Sequence, residues 1–433
     1  MIWNKEMECA DRETMRALQL EKLQKTVKHE YDHVAPYRKK MEAAGMKPED
    51  IRTLEDIRKL PFTTKEDLAE NYPTGLFAKP MEEIVRIQAS SGTTGKPKIA
   101  GYTRSDLDMW GECVARGLTM AGADRNSVVH VSYGYGLFTG GLGAHIGAET
   151  IGATVIPMSS GNTQKQVMFL QDMKSTVLCC TPSYALTIAE AVNKAGIDPK
   201  TLAVKAGVFG AEPWTQGMRD KIEEGLAIKA HDIYGLSEIM GPGVSMSCSE
   251  NNGMHIQEDY FFPEIIDPDT LEVLDDGEKG ELVITTLGKE GMPLIRYRTR
   301  DICYLMREKC ACGRTTVRMS RVFGRTDDML IIRGVNVFPS QVETVIARFG
   351  ELTMNYKLYV GREHNTDTFE LAVELAEGLA IDDIGFVETL RSRVDHALRD
   401  ILGIGCKVRF LNAGTLPRSE GKAVRVEDTR DLG

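Results

Sequence analysis

The sequence predicts an α/β fold: a large N-terminal domain of several subdomains, with parallel-type sheets covered by helices plus a β-rich part, and a small α+β C-terminal domain. The chain has 433 residues, which exceeds the size at which a single hydrophobic core keeps growing. Short apolar runs alternate with helical patterns, an arrangement typical of parallel sheets. A polar break at residues 324–328 precedes a compact mixture of helical and strand patterns. We therefore expect an N-terminal domain over residues 1–326 and a C-terminal domain over residues 327–433.

Hydrophobic spacing predicts the elements in chain order. Residues 13–41 have helical spacing. A short helix is expected after Thr64, because Thr64 and Asp67 together resemble a capping box. Further helices are predicted over 105–120, from about 340 and over 386–401, and strands over 128–132, 154–157, 176–180, 205–209, 281–286 (alternating), near 358, over 369–375 and over 406–410. In parallel sheets ligands bind at the carboxyl ends of the strands. The glycine-rich loops at those ends are therefore the candidate site.

Composition excludes several classes of protein. The chain is 42% hydrophobic and 27% charged, as ordinary soluble proteins are, and its net charge of -10 is spread without long runs. We therefore expect neither nucleic acid nor a membrane surface as a partner. Asn4, Lys5, Glu6 and Glu8 interrupt any apolar signal-peptide core. An odd count of nine cysteines favours a reducing cytoplasm over a disulfide framework.

The stretch 90–98, SSGTTGKPK, is a polar loop between two predicted strands. Glycines let backbone N–H groups approach an anion closely, and Lys96 and Lys98 add charge. The composition suits a polyphosphate, although Ser90 and Pro97 stand where a Walker A loop needs glycine and a hydroxyl. An ordinary hydrophilic turn is the alternative. The candidate phosphate-binding residues are Ser90, Ser91, Gly92, Thr93, Thr94, Gly95 and Lys96.

Six blocks in order resemble the adenylate-forming superfamily of acyl-CoA synthetases, and most closely the phenylacetate-CoA ligases. They are SSGTTGKPK at 90–98, FGAEPW at 209–214, DIYGLSE at 232–238, YRTRD at 297–301, GRTDDMLIIRGVNVFPSQVE at 324–343 and LPRSEGKAVRV at 416–426. The resemblance implies that an aryl carboxylic acid, phenylacetate or a related arylacetate, reacts with ATP to give an acyl-adenylate and pyrophosphate. Coenzyme A then gives the thioester and AMP. The resemblance further implies Mg²⁺ as a cofactor and suggests that the protein forms a homodimer.

The resemblance also implies roles for individual residues. Glu238 matches the Mg²⁺ carboxylate, Tyr234 stacks on the adenine, and Asp301 accepts hydrogen bonds from the ribose hydroxyls. The remaining residues expected at ATP are Gly210, Ala211, Glu212, Pro213, Asp232, Gly235, Ser237 and Arg325.

The same resemblance implies that the C-terminal domain is a mobile lid. Lys422 matches the catalytic lysine, whose ammonium offsets charge at the substrate carboxylate and the α-phosphate. Asp327 corresponds to the hinge of a C-terminal lid. Rotation of the lid after adenylation is expected to bring the loop around Gly334 beside a tunnel for coenzyme A.

Aromatic side chains separated by glycines follow the strand at 128–132. Tyr133, Tyr135 and Phe138 provide a flat, apolar slot that suits an aryl ring, so we expect them to form the acyl pocket. Aromatic residues that simply close the end of a strand are the alternative.

Two short pieces of sequence carry metal-binding side chains. Cys248 with His255, and Cys310 with Cys312, flank the β-rich region and could converge. Three thiolates and one imidazole form a regular structural zinc set, and a filled set leaves no position for substrate. The alternative is four incidental reduced residues.

Two other functions compete with a coenzyme A ligase. An adenylating enzyme could load the acyl group on the phosphopantetheine of a carrier protein, and a nucleotide-binding protein could keep the fold without turnover. Intact Glu238, Asp301 and Lys422 argue against the second.

Overall fold

The structure, a computed structural model, describes residues 1–90, 97–326, 328–363, 366–418 and 423–430. Contacts divide the chain into two compact units. The first comprises Met1–Cys180, Lys200–Ala211 and Ile228–Val322, and the second comprises Thr181–Pro199, Glu212–Ala227 and Phe323–Gly433. The domain boundary predicted at residue 326 stays a prediction.

The described helices and strands follow in chain order. The helices are α1 (Lys5–Glu8), α2 (Arg12–His33), α3 (Ala35–Ala43), α4 (Lys65–Glu70), α5 (Arg104–Met120), α6 (Thr139–Thr150), α7 (Thr163–Asp172), α8 (Pro182–Lys194), α9 (Gln216–Leu226), α10 (Pro339–Ile346) and α11 (Ile384–Leu402). The strands are β1 (Arg86–Ala89), β2 (Ile99–Tyr102), β3 (Val128–Val131), β4 (Thr154–Ile156), β5 (Val177–Cys180), β6 (Ala206–Gly210), β7 (Lys229–Leu236), β8 (Gly241–Ser247), β9 (Met254–Ile256), β10 (Phe261–Ile266), β11 (Gly280–Thr286), β12 (Tyr297–Cys303), β13 (Leu305–Met306), β14 (Arg318–Met319), β15 (Gly324–Arg325), β16 (Leu330–Ile332), β17 (Val335–Val337), β18 (Leu352–Glu363), β19 (Thr366–Leu375), β20 (Lys407–Leu411) and β21 (Val426–Asp428).

The main sheet of the first unit has the order β13-β14-β9-β8-β7-β6-β5-β3-β4. Its half from β4 to β7 is parallel, with β6 and β7 in the register Val208↔His231. Every residue of β5 and β6 is buried, as expected of parallel strands that are covered on both faces. The predicted parallel sheet is therefore confirmed, and the carboxyl ends of β5, β6 and β7 lie at one edge.

The other half of this sheet is antiparallel and was not predicted. β8 pairs with β7 and β9, and β9 pairs with β14. β9 has three residues and β14 has two, too few for a periodicity to stand out.

Two features of the first unit differ from the prediction. The helix predicted over 13–41 is two helices, because the chain leaves helical geometry at Val34 and α3 begins at Ala35, with Pro36 in its first turn. β11, predicted to alternate, is buried at every position. It lies centrally between β10 and β12 in an antiparallel sheet. The capping box of Thr64 with Asp67 is present at α4.

The second unit contains a mixed sheet with the order β20-β19-β18-β21. β18 and β19 are antiparallel, while β20 and β21 pair with them in parallel. The predicted α+β character is confirmed. α8 and α9 belong to this unit, where Lys221 Nζ donates to the Leu352 carbonyl at 3.0 Å.

Among the described residues, no helix combines the length and apolar character that a bilayer crossing requires.

Candidate active site

The predicted phosphate loop begins at the end of a β-hairpin. The two flanking strands are present as predicted, and β1 and β2 pair antiparallel, from Arg86↔Tyr102 to Ala89↔Ile99. Ser90 N–H donates to the Lys98 carbonyl at 3.0 Å, and Lys98 N–H donates to Ser90 Oγ at 3.2 Å. Ser91, Gly92, Thr93, Thr94, Gly95 and Lys96 lie outside the described residues.

Two residues predicted at the nucleotide meet directly. Tyr234, on β7, donates its hydroxyl to Asp301 Oδ2, on β12, at 2.6 Å. Asp301 is buried, so the tyrosine hydroxyl fixes the orientation of a carboxylate that has little access to water. An adenine stacker and a ribose acceptor were predicted separately, and the structure places the two side chains in contact.

The backbone at Gly235 approaches its neighbour too closely for any side chain. A Cβ there would lie 1.7 Å from the Gly241 carbonyl oxygen. A Cβ on Gly210 would similarly lie 2.1 Å from the Ile233 carbonyl oxygen. Both predicted glycines are therefore required by packing at the carboxyl ends of β6 and β7, which is independent of any ligand.

Glu238 lies in the turn between β7 and β8, beside Ser237. Ser237 Oγ is 3.3 Å from Thr139 Oγ1. The Glu238 side chain is buried, and no hydrogen bond or ion pair reaches its carboxylate from the described part of the chain. A carboxylate with no hydrogen-bond donor among the described residues is a suitable ligand for a hard cation.

Sequence reasoning missed Lys289, which lies beneath this turn. Its Nζ donates to the carbonyls of Glu238 and Ile239 at 3.2 and 2.6 Å. Lys289 is 1% exposed, and burial lowers the pKa of its ammonium to about 8. A lone lysine between Gly288 and Glu290 looks like a surface residue, so the sequence offered no signal for this role.

Other predicted ATP residues surround the same strand ends. Ala211 adopts a left-handed conformation with φ of 73° directly after β6. Asp232 N–H donates to Ser247 Oγ at 2.8 Å, which ties β7 to β8.

Glu212 and Pro213 belong to the second unit. The Glu212 carboxylate accepts from Ser183 N–H at 2.7 Å and from Ala423 N–H at 3.0 Å. Ala423 follows Lys422, which lies outside the described residues. The structure thus joins a predicted ATP-binding residue to the backbone next to the predicted catalytic lysine.

The aromatic loop after β3 contains the predicted acyl pocket. Tyr133 is buried and donates to the Val208 carbonyl at 3.3 Å, and burial raises the pKa of its hydroxyl well above the usual range. The Tyr135 hydroxyl is 3.2 Å from His145 Nδ1, a partner that the sequence did not suggest. Phe138 is 37% exposed. Ala89 N–H donates to the Leu137 carbonyl at 2.9 Å, so this loop adjoins the strand that leads to Ser90.

The remaining predicted residues lie in the second unit. Arg325 Nε is 3.6 Å from Asp328 Oδ2, and Asp327 lies outside the described residues. Gly334 has a φ of 77° and follows Arg333, with a φ of 50°, in the tight turn between β16 and β17. Two successive positive φ values are typical of a type I′ hairpin.

The structure brings the four predicted metal ligands together in the first unit. The ligand atoms of Cys248, His255, Cys310 and Cys312 all lie within 4.8 Å of one another. The sulfur atoms of Cys248 and Cys310 are 3.7 Å apart, and the Cys312 sulfur is 3.4 Å from His255 Nε2. This proximity depends on the unpredicted antiparallel strands, since β9 carries His255 and pairs with β8, which ends just before Cys248.

The imidazole of this cluster is oriented by a hydroxyl. His255 Nδ1 is 2.9 Å from Thr316 Oγ1. With the ring proton on Nδ1, Nε2 presents its lone pair to the three sulfur atoms, which is the arrangement of a metal-binding histidine. Burial, together with the guanidinium groups of Arg314 and Arg318, lowers the pKa of His255 to about 3. The ring is therefore neutral at physiological pH.

Comparison with known proteins relates this geometry to a family. The family model described as AMP-binding enzyme matches residues 10–288, and the model described as AMP-binding enzyme C-terminal domain matches residues 334–430. A phenylacetate-coenzyme A ligase of Thermus thermophilus is 50% identical, with coverage of 99% of this chain and 100% of the relative. A phenylacetate-coenzyme A ligase of Escherichia coli is 51% identical, with coverage of 98% and 97%.

A solved structure agrees with the fold. The 2-hydroxyisobutyryl-CoA ligase in the postadenylation state, in complex with R3-HIB-AMP, superposes with a TM-score of 0.93 at 28% identity. The match covers 99% of this chain and 92% of that one. The predicted α/β fold class and the resemblance read from the six sequence blocks are both confirmed. This chain belongs to the AMP-binding enzyme family.

Proposed function

We propose that this protein is an AMP-forming ligase that joins phenylacetate or a related arylacetate to coenzyme A. In the first half-reaction a carboxylate oxygen of the acid attacks the α-phosphorus of ATP, and pyrophosphate leaves. In the second, the coenzyme A thiol attacks the acyl carbon of the adenylate, loses its proton, and AMP leaves. The observation that carries the proposal is 50% and 51% identity, over nearly the whole chain, to two phenylacetate-coenzyme A ligases.

The nucleotide is assigned to the carboxyl ends of β6 and β7. Asp301, held by Tyr234, offers a fixed acceptor for the ribose hydroxyls. Gly210 and Gly235 lie at the same strand ends, where packing against the Ile233 and Gly241 carbonyls excludes a side chain. The Ser90 loop is assigned to the β- and γ-phosphates, because its glycines, hydroxyls and lysine suit anions.

Glu238 is assigned to Mg²⁺. A hard cation that bridges phosphates takes one or two carboxylates and several waters from its surroundings. The buried Glu238 carboxylate fits because no described residue satisfies it. When bound, the cation neutralises phosphate oxygens; the contribution of the protein is to hold the carboxylate in place.

The C-terminal region supplies the lysine and the second half-reaction. Lys422 is assigned to the reacting carboxylate and the α-phosphate, where its positive charge offsets the charge that builds up. The contact of Glu212 with Ala423 N–H supports this, because it holds the neighbouring backbone against a residue assigned to ATP. Asp327 as the hinge and Gly334 beside the coenzyme A tunnel complete the scheme.

The acid is assigned to the aromatic loop. Tyr133 and Tyr135 offer flat, apolar faces that suit an aryl ring. The two tyrosine hydroxyls already have protein partners in Val208 and His145. A ring without polar substituents would leave those bonds intact, which favours phenylacetate over hydroxylated acids.

A substrate screen tests the proposal. Pyrophosphate release is measured with ATP, Mg²⁺ and a panel of arylacetic, benzoic and aliphatic acids, and AMP and thioester are then measured with coenzyme A or with a phosphopantetheine carrier protein. We expect phenylacetate with free coenzyme A to give the highest kcat/KM. Nucleotide binding without AMP formation for any acid would overturn the proposal. Transfer of the acyl group to the carrier protein, but not to free coenzyme A, would mean that the carrier is the acceptor in the second half-reaction.

We also propose a structural zinc site at Cys248, His255, Cys310 and Cys312. Three sulfur atoms and one imidazole nitrogen within 4.8 Å of one another suit tetrahedral zinc. Thr316 orients the imidazole. The next residue towards the N-terminus, Thr315, donates its N–H to the Glu8 carbonyl and its hydroxyl to the Ala10 carbonyl, at 3.1 and 2.6 Å. Zinc would therefore fix the loop that holds the N-terminal segment.

Metal analysis and hydrogen exchange test the zinc site. We expect about one zinc per chain, loss of zinc in Cys310→Ser, and faster amide exchange in residues 1–10 after chelation. Cys113→Ser, which removes a buried thiol outside the cluster, is the matched control and should keep its zinc. A protein that binds no zinc when supplied with it would refute the site.

A further inference from the structure

The turn that carries Glu238 has an unusual set of hydrogen bonds. Ile239 and Met240 both donate their N–H groups to the Leu236 carbonyl, at 3.2 and 3.0 Å. Within the described part of the chain, two side chains bond the carbonyls of the four turn residues, 237 to 240. The Tyr102 hydroxyl lies 3.3 Å from the Ser237 oxygen and 2.9 Å from the Met240 oxygen.

Lys289 bonds the two carbonyls in the middle of the turn. Its Nζ lies 3.2 Å from the Glu238 oxygen and 2.6 Å from the Ile239 oxygen. The same ammonium stands 4.9 Å from the centre of the Tyr102 ring, within the range of a cation–π contact. Lys289 and Tyr102 therefore form one buried clamp: the ammonium donates to the Glu238 and Ile239 carbonyls, and the single hydroxyl proton is shared between the Ser237 and Met240 carbonyls.

The clamp is itself held firmly. The Asp106 carboxylate accepts from Glu290 N–H at 2.7 Å and from Gly291 N–H at 2.9 Å, which fixes the backbone just after Lys289. The Tyr102 ring stacks on Trp110 with centroids 5.3 Å apart. Asp106 thus fixes the backbone next to Lys289, and Trp110 restricts the Tyr102 ring.

We propose that Lys289 and Tyr102 are positioning residues that hold Glu238 in place for the metal-bound nucleotide. This inference rests on the proposed function. Neither side chain is assigned a contact with substrate; both act through the backbone of the turn. Loss of either donor would leave buried carbonyls without a hydrogen bond. The turn would then rearrange to satisfy them, and this would displace the Glu238 carboxylate.

Adenylation kinetics test the proposal on the full-length enzyme. Lys289→Met keeps the apolar stem and removes the ammonium, while Tyr102→Phe keeps the ring and removes the hydroxyl. We expect the KM for MgATP to rise about tenfold in Lys289→Met and about threefold in Tyr102→Phe, the loss expected of hydrogen-bond donors that act through a backbone. The KM for the acid and the rate of thioester formation from supplied acyl-adenylate should stay within about twofold of the wild type.

A double-mutant cycle separates positioning from general weakening. If Lys289 acts through Glu238, then Lys289→Met should raise the KM for MgATP far less in a Glu238→Gln background than in the wild type. Equal effects in both backgrounds would overturn the proposal.

Lys22→Met is the matched control. Lys22 also donates to a backbone carbonyl, that of Asp259 at 2.6 Å, and also lies over a tyrosine ring, 4.4 Å from the centre of Tyr260. Its loss should lower thermal stability and leave the KM for MgATP unchanged. An equal rise in this KM for Lys22→Met and Lys289→Met would also refute positioning.

The outcomes distinguish a failure of the proposed function from a failure of the Lys289–Tyr102 clamp. A wild-type enzyme that forms no AMP with any acid refutes the proposed function. An active wild type with an unchanged KM for MgATP in Lys289→Met refutes the clamp alone. If Lys289→Met does not fold, Tyr102→Phe and its cycle with Glu238→Gln give the same decision.

Discussion

Removal of one hydroxyl, in Tyr234→Phe, should weaken ATP binding without affecting the acid. Tyr234 donates to Asp301 Oδ2 at 2.6 Å, and Asp301 is 4% exposed. Such a short bond to a carboxylate contributes about 1.5–3 kcal/mol. Phenylalanine keeps the ring that is assigned to the adenine, so the variant isolates the hydroxyl.

Only part of that energy should appear in ATP binding. The hydroxyl orients Asp301 both before and after the nucleotide arrives, so the difference between the two states is smaller than the whole bond. A difference of about 1.4 kcal/mol corresponds to a tenfold change. We therefore expect the KM for ATP to rise about tenfold, with the KM for phenylacetate unchanged.

Steady-state pyrophosphate release measures both constants. Tyr37→Phe is the matched control, because Tyr37 is buried and donates to the Pro61 carbonyl at 3.1 Å instead of to a carboxylate. It should change neither constant. A KM for ATP within about twofold of the wild type in Tyr234→Phe, or an equal rise in both constants, would refute the assignment of this pair to the nucleotide.

Three further variants probe the predicted catalytic lysine, a buried carboxyl group and a close approach between two backbone segments. Lys422→Ala should suppress adenylation far more than thioester formation from supplied acyl-adenylate, and equal losses would contradict separate roles for the two half-reactions. Burial raises the pKa of Glu30 well above its usual range. The folded state therefore keeps a proton that the unfolded state releases above about pH 4.3. Because the unfolded state binds fewer protons there, the free energy of unfolding falls as pH rises. Glu30→Gln should therefore raise the melting temperature, by more at about pH 8 than at about pH 5; a constant increment would refute this. Gly235→Ala should lower the free energy of unfolding by at least about 3 kcal/mol, because its Cβ would meet the Gly241 oxygen at 1.7 Å. Gly350→Ala, which has open space around it, is the control and should not change the melting temperature.

Strong periodicity and local chemistry made much of the fold predictable. The helix expected over 105–120 is α5, Arg104–Met120, because its spacing is helical and Thr103 with Asp106 caps its start. The strand pair around Ser90 followed from apolar runs on either side of a polar loop. The break at Val34 was missed because α2 and α3 continue a similar helical spacing. Only the position of Pro36 could have signalled it.

The candidate site was predictable where chemistry is local and not where it depends on tertiary contacts. The donor types of Cys248, His255, Cys310 and Cys312 suggested their convergence before the strands that achieve it were known. Lys289 carried no such signal, because its role depends on carbonyls that lie 50 and 51 positions away in sequence. A buried lysine can be recognised only after the fold has shown what surrounds it.

We assign specificity for the nucleotide to the β7–β8 hairpin and specificity for the acid to the aromatic loop after β3. The positions on the hairpin that we assign to the nucleotide are held by different elements: Tyr234 by its hydrogen bond to Asp301, and the Glu238 turn by Lys289 and Tyr102. The aromatic loop after β3 is held by other elements, through Tyr133 and the Val208 carbonyl and through Tyr135 and His145. Loops accept changes of side chain more readily than the strands that support them. Substitutions in the aromatic loop should therefore change which acid is used while the KM for ATP stays the same, and substitutions in the hairpin should do the reverse.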